Sequence, residues 1–265
     1  MSMYVMYFTA VGWLVGLSTT GITVSGVTVR SHGARGIQLT GSGHTVEDSV
    51  ITDVGCRGVE VHCGDSLTLT NGNCTVTRNN VTRMAQYKRT YQAGIHWGGV
   101  GNLYSHNNVH DGPHNCFLGG GNEAGSFGGV NNVFEYNTID NCAFESSDTG
   151  AFYSCGQAAT AFVNAGNILR HSTFSNIRST STAGVQGITI QAIYLDDQMS
   201  SWEIYNNSFI NCTTGTFVGG GRLNKFYNNY YQDVDTVHHF DNRGMGLWLI
   251  AVGTCLLLFV EVSWT

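Results

Sequence analysis

Two aspartates, Asp196 and Asp197, stand side by side at the end of an apolar, strand-like run in Gln191–Gln198, QAIYLDDQ. Adjacent carboxylates can act as general acid, general base or nucleophile, although strand ends also recruit Asp for turns alone. The phrase recurs as RGIQLTGS (Arg35–Ser42), RGVEVHCG (Arg57–Gly64), AGIHWGGV (Ala93–Val100) and NCFLGGGN (Asn115–Asn122). It returns as GAFYSCGQ (Gly150–Gln157), GTFVGGGR (Gly215–Arg222) and VHHFDNRG (Val237–Gly244). Only one copy carries the double acid, which points to a reactive site placed on one repeat.

A second acidic group, Glu145 and Asp148 in ESSDTG, precedes the Gly150 copy. Counted back from the repeat, Glu145 shares a column with His110, and Asp148 lies next to the column of His114. Acids set over histidines can shift proton affinity in either direction. The bland reading of each histidine is a polar surface residue. Three places after each repeat anchor stand Thr40, His62, Gly98, Gly120, Cys155, Asp196, Gly220 and Asp241. The glycines leave an open trough beside the acids, shaped for a sugar chain. The candidate catalytic residues are Asp148, Asp196, Asp197 and Glu145. Candidate substrate contacts are His96, Trp97, His110, His114, Asn122, Tyr153, Gln157, Tyr194, Arg222 and Asp241. The aromatic members, with Trp202, offer stacking faces or serve as core.

The elements that position these residues follow from the spacing. Aligned anchors are Ile37, Val59, Ile95, Phe117, Phe152, Ile193, Phe217 and His238. Their spacing reduces to a period of about 22 residues with insertions, the signature of a solenoid. Short alternating strands make each coil a ring of strands, and parallel stacking satisfies the backbone. Asn-rich phrases such as RNNVT, HNNVHD, YNTIDN, YNNSFIN and YNNYY mark one turn of successive coils, where stacked amides bond coil to coil. The expected fold is an all-β right-handed parallel β-helix of about nine coils, spanning 21–246. Insertions at 65–73, 123–129, 158–165 and 179–187 project from it. Residues 1–20 form a first coil or a signal-like segment, with pairing of Leu14–Leu17 on Ile37–Leu39 favoured. Residues 247–265 are apolar and lie outside the regular solenoid.

Charged residues are only 11% and glycine is 35 of 265, which suits strands and turns and argues against helical bundles. A net charge of −6 with only two lysines, Lys88 and Lys225, gives nucleic-acid binding no electrostatic support. Eight scattered cysteines without a CxxC pair do not form a zinc site. With sequons at Asn73, Asn80, Asn206 and Asn211 they fit a secreted glycoprotein with disulfides, Cys63–Cys74 foremost. Asn80 and Asn206 are expected within the asparagine ladder, and so unglycosylated. A monomer is expected, and a membrane contact only if the C-terminal segment is an anchor.

The segments CGDSLTLTNGN, KRTYQAGIHWGGVGNLYSHNNVHDGPHNCFLGGGNE, ESSDTGAFYS and AIYLDDQ resemble the pectate-lyase-like right-handed β-helix proteins. The nearer resemblance is to a branch of glycoside hydrolases acting on plant or algal polysaccharides, and it covers about Gly21 to Gly246. It implies that Asp148 pairs with Asp196 or Asp197 in catalysis, without a cofactor. Where relatives are expected to carry Arg-Asp-Trp, this chain has Cys155-Gly156-Gln157. A polysaccharide lyase, with calcium or cations on a uronate, and a non-catalytic carbohydrate-binding β-helix are the alternatives. Seven extended residues separate Asp148 from Asp196 in the coil frame, about 23 Å. The two acids can meet only if the chain bends near Thr149-Gly150.

Overall fold

The computed structural model describes residues 14–121, 128–156, 165–180, 190–241 and 243. The calls on Asn122, Gln157 and residues 247–265 lie outside these. Among the described residues there is no helix; short strands stack in parallel, coil upon coil. Each regular coil contributes three strands. The first set includes Ile37–Ser42, Val59–Asp65, Ile95–Val100, Phe117–Gly119, Thr149–Cys155 and Ile190–Asp196. Its register runs Ile37, Val59, Ile95, Phe117, Phe152, Ile193, as the repeat spacing predicts. A second set forms an eight-stranded sheet from Thr23–Ser25 to Lys225–Tyr227. The third includes Thr28–Arg30, Val50–Thr52, Asn80–Thr82, Asn108–Gly112, Thr138–Cys142 and Thr173–Ile177. One pair is antiparallel, Gly64 with Asn71 and Asp65 with Thr70, and forms the insertion at 65–73.

Alternation with period two turns one apolar residue per strand inward. Three inward columns therefore meet along the axis. Trp97, Phe134, Phe152 and Trp202 interlock at their centre, with Trp97 and Phe134 rings 4.9 Å apart and Phe134 and Phe152 rings 5.0 Å apart. Trp97, expected on the sugar-facing side, is instead core at 1% exposure, and Trp202 is buried with it. Both are the right size to fill a wide coil interior, and that use of an indole excludes the other.

One corner explains the asparagines. Asp48, Arg78, His106, Tyr136, His171, Asn206 and Asn228 all have φ near +50° there. Each is followed by a residue that accepts, through its side chain, the N–H of its counterpart in the preceding coil. The ladder runs Ser49, Asn79, Asn107, Asn137, Ser172, Asn207, Asn229. A second ladder joins Cys74, Asn102, Asn132 and Asn167. The ladder residues are thus Asn79 and Asn207, one place from the sequon residues. Asn206 is exposed, and Asn80 lies in an outer contact with Asn108.

The register departs from expectation at Phe217. Ile193 pairs with Thr216, and Thr216 with His238, while Phe217 pairs with Tyr194. The strand Ser208–Gly219 runs unbroken across two faces. A one-residue slip moves every side chain to the other face, so Phe217 points outward. Gly219, not Gly220, pairs with Asp241. At the start of the described chain, Leu14, Val15 and Gly16 pair with Ile37, Gln38 and Leu39. Cys63–Cys74 and Cys116–Cys142 are disulfide-bonded.

Candidate functional site

The outward side chains of the first strand set form one continuous column. It runs Gln38, Glu60, His96, Leu118, Tyr153, Tyr194, Phe217, His239. In its C-terminal half Tyr153, Tyr194 and Phe217 pack edge to face, at 5.1 and 4.4 Å. Their apolar bodies shield one another, and the two hydroxyls reach the acids.

The Tyr153 hydroxyl donates to Asp196 Oδ2 at 2.6 Å. The Tyr194 hydroxyl donates to Asp148 Oδ1 at 3.1 Å and also lies against the Arg243 guanidinium. Arg243 Nη1 donates to Asp196 Oδ1 and, at 3.1 Å, to Asp197 Oδ1. Its Nε donates to Asp241 Oδ2 at 2.8 Å. Cys155 Sγ lies 3.4 Å from Asp197 Oδ2. Asp148 and Asp196 are thus linked through Tyr194 and Arg243, Tyr194 bonded to Asp148 and Arg243 to Asp196. Both carboxylates therefore face the same phenol–guanidinium pair. The chain achieves this by bending at Asp148 itself, φ +51°, one residue before the expected bend. Thr149 and Gly150 already pair as strand with Ile190 and Gln191.

The electrostatics follow from this packing. Burial raises the Tyr153 and Tyr194 pKa values above the ordinary phenol range, and the Asp196 charge raises them further. Both hydroxyls therefore stay protonated as donors. Burial works against the charge on Arg243, but Asp241, Tyr194 and Asp196 outweigh it and raise its pKa. Arg243 was not among the residues singled out from the sequence. Neither was Tyr91, 53% exposed, whose ring lies 4.9 Å from that of His114. Burial raises the Tyr91 pKa, and the charges of Asp148, Asp196 and Cys155 add to this.

Other candidates lie elsewhere. Glu145 is exposed and paired with Arg89, whose Nε donates to Oε2 at 3.0 Å. It does not share a column with His110, which pairs in register with Asp140. His110 sits on the third face between Asn80 and Asp111. The counting failed because Glu145 belongs to a turn between strands, not to a coil position. His114 is buried, donating from Nδ1 to Asn115 Oδ1 at 2.6 Å; burial lowers its pKa, against the raising effect of Asn115. Arg222 lies in the turn after Gly219, its N–H bonded to Ser200.

At the other end of the column, Glu60 is 3% exposed. Its Oε1 accepts from Arg57 and from His62 Nε2 at 3.1 Å, and its Oε2 lies 2.5 Å from Arg35 Nε. Burial opposes its ionisation. The hydrogen bond from His62 and the charges of Arg57, His96 and Arg35 outweigh burial and hold its pKa at about 2. His96, a predicted contact, is its buried neighbour in register, with its ring 5.4 Å from that of His62. A shallow cleft beside the two histidines is floored by Gly98, Gly119, Gly120 and Gly121.

Among solved structures, XylC, in a complex with xylose, superposes with a TM-score of 0.51 at 11% identity, over 83% of this chain and 39% of that one. The chain is a parallel β-helix. A glycoside hydrolase gives 0.46 at 13% identity over 80% and 37%, and an alginate lyase from Paenibacillus sp. str. FPU-7 gives 0.41 at 14% over 80% and 72%. The chain spans about two-fifths of the length of the first two. At these identities the likeness is one of fold. No family model matches, and no curated protein matches in sequence.

Proposed function

We propose that this β-helix protein is carbohydrate-active, a glycoside hydrolase that cleaves a polysaccharide lying along its outward column. The observation that carries the reading is the Asp148–Tyr194–Arg243–Asp196 chain. It sets two carboxylates on one phenol–guanidinium pair, the close placement that a glycosidase pair, about 5–9.5 Å apart, requires. Asp148 is exposed and so can reach the glycosidic oxygen of a bound chain, the place of the proton donor. Asp196 faces Arg243 and the Tyr153 hydroxyl, which suits the nucleophile or the base for water. Asp197 is the nearest substitute, and Tyr91 offers an exposed ring for a sugar face.

The same geometry disfavours a lyase. Arg243 is shared among Asp196, Asp197 and Asp241, so the cluster is net negative and repels a uronate at the bond to be broken. The two disulfides support secretion into an oxidising compartment.

The test is a panel of neutral and acidic polysaccharides. New reducing ends without ultraviolet absorbance from an unsaturated uronate are expected. An unsaturated product, or undiminished turnover in both Asp148→Asn and Asp196→Asn, overturns the reading.

A further inference from the structure

We infer that the Arg35–Arg57–His62 end of the outward column is a subsite for an anionic group on the polysaccharide, a carboxylate or a sulfate ester. This rests on the proposed function only in taking the column as the path of the sugar chain.

Two guanidiniums and two imidazoles surround one carboxylate there. Glu60 accepts from Arg57 and His62 and contacts Arg35, so one buried acid fixes the positions of several cationic or donor groups. Counting fixed charges, two arginines exceed one glutamate. Arg57 Nε is buried and has no acceptor among the described residues. The Arg35 side chain is 38% exposed and that of His62 33%. An incoming oxyanion therefore meets the exposed parts of Arg35 and His62, held in place by Glu60 with Arg57 behind it, and guanidiniums are the groups that best recognise carboxylate and sulfate-like groups.

Glu60, His62 and His96 also stand close enough to offer three ligand atoms to a metal ion. Both oxygens of Glu60 are already engaged by guanidiniums, so a cation placed there meets two positive charges at contact distance. The charge balance favours an anion.

Position supports the assignment. From His96 to Tyr194 the column advances three coil steps, through Leu118 and Tyr153. At about 4.8 Å per step this is roughly 14 Å, the reach of a short run of sugar units. The glycine-floored cleft opens beside His96, at the start of that path. The substrate class implied is an acidic polysaccharide whose charged unit sits away from the cleaved bond, where the aspartates would repel it.

The experiment is calorimetric binding to Asp148→Asn protein, which separates binding from turnover. The probes are an oligogalacturonate, a sulfated carrageenan oligosaccharide and a neutral xylo-oligosaccharide of equal length. At least about tenfold tighter binding of one charged probe is expected, weakening as salt is added. Preference for the first assigns a carboxylate, and for the second a sulfate ester. Adding Arg35→Gln, or separately Arg57→Gln, should abolish the preference; the exposed Arg35 gives the test a variant that leaves the Arg57–Glu60 pair in place. Equal affinity for charged and neutral probes, a preference that survives both substitutions, or Zn²⁺ binding without any anion preference each overturns the inference. A protein that binds the charged probes and cleaves nothing overturns the hydrolase reading and leaves this one standing. One that cleaves neutral chains without any charge preference does the reverse.

Discussion

The two ends of the outward column invert each other's charge. At one end a single glutamate sits between two arginines and two histidines. At the other a single arginine sits among three aspartates. Burial separates them as much as sign. The Glu60 side chain is 4% exposed, whereas those of Asp196 and Asp197 are 14% and 43%. A buried, fully engaged carboxylate is part of what holds the coil together, and removing it leaves uncompensated charge. Acids that are partly exposed around one shared guanidinium are better screened by water and exchange partners at lower cost. One face of the coils thus carries a rigid recognition site and an adjustable reactive one.

The sharpest way to break this comparison is at the acidic end. Asp148→Asn and Asp196→Asn should each lower kcat by about a hundred- to ten-thousandfold, with unfolding midpoints unchanged. A variant that keeps a tenth of the activity removes that residue from the pair. Phe152 lies inward between Phe117 and Ile193, under the column that joins both ends. Phe152→Ala should cost about 3–5 kcal/mol in urea unfolding; a loss under about 1 kcal/mol would show that the ends do not share a core.

Glu60→Gln tests the basic end and should cost about 3 kcal/mol near neutral pH. The sign of its pH dependence follows from the depressed pKa. The contribution is full above the unfolded value, near 4.5, and is lost as pH falls toward about 2. Wild type and variant should converge over that window. A gap that stays constant through it would mean that Glu60 acts by packing and not by charge.

Much of the scaffold was legible because apolar residues recur at one phase. Ile37, Val59, Ile95, Phe117, Phe152 and Ile193 are all large, apolar and inward. The reading slipped at Phe217 because the inward residue there is Thr216, fully buried, while the large apolar one faces out. An apolar-inside rule chooses wrongly when an outward aromatic packs on a tyrosine. Asp196, Asp148, Tyr153 and Tyr194 were legible as a strand-end motif. Arg243 was not, because it reaches Asp196 from 47 residues away, from the end of the last repeat copy, where no other copy has an arginine at that place. The basic end did leave a signal. Arg35 and Arg57 occupy the same place in RGIQ and RGVE, 22 residues apart, beside the one glutamate of the column.

Glu145 offers the smallest effect and the cleanest discrimination. Its place in ESSD made it a candidate acid beside Asp148. In the structure its carboxylate is engaged by Arg89, which also donates to Ala85 O at 3.2 Å. Glu145 N–H and the Ser146 hydroxyl both bond Pro113 O. The pair therefore ties the chain around Tyr91 to the turn that carries Asp148. Both partners are about 40% exposed, so the pair contributes under about 1 kcal/mol to stability. Glu145→Gln keeps an acceptor for Arg89 and loses only the charge. It should raise KM about two- to threefold and leave kcat unchanged, the pattern of lost positioning. A fall in kcat of a hundredfold or more would instead make Glu145 the proton donor and leave Asp148 as its support.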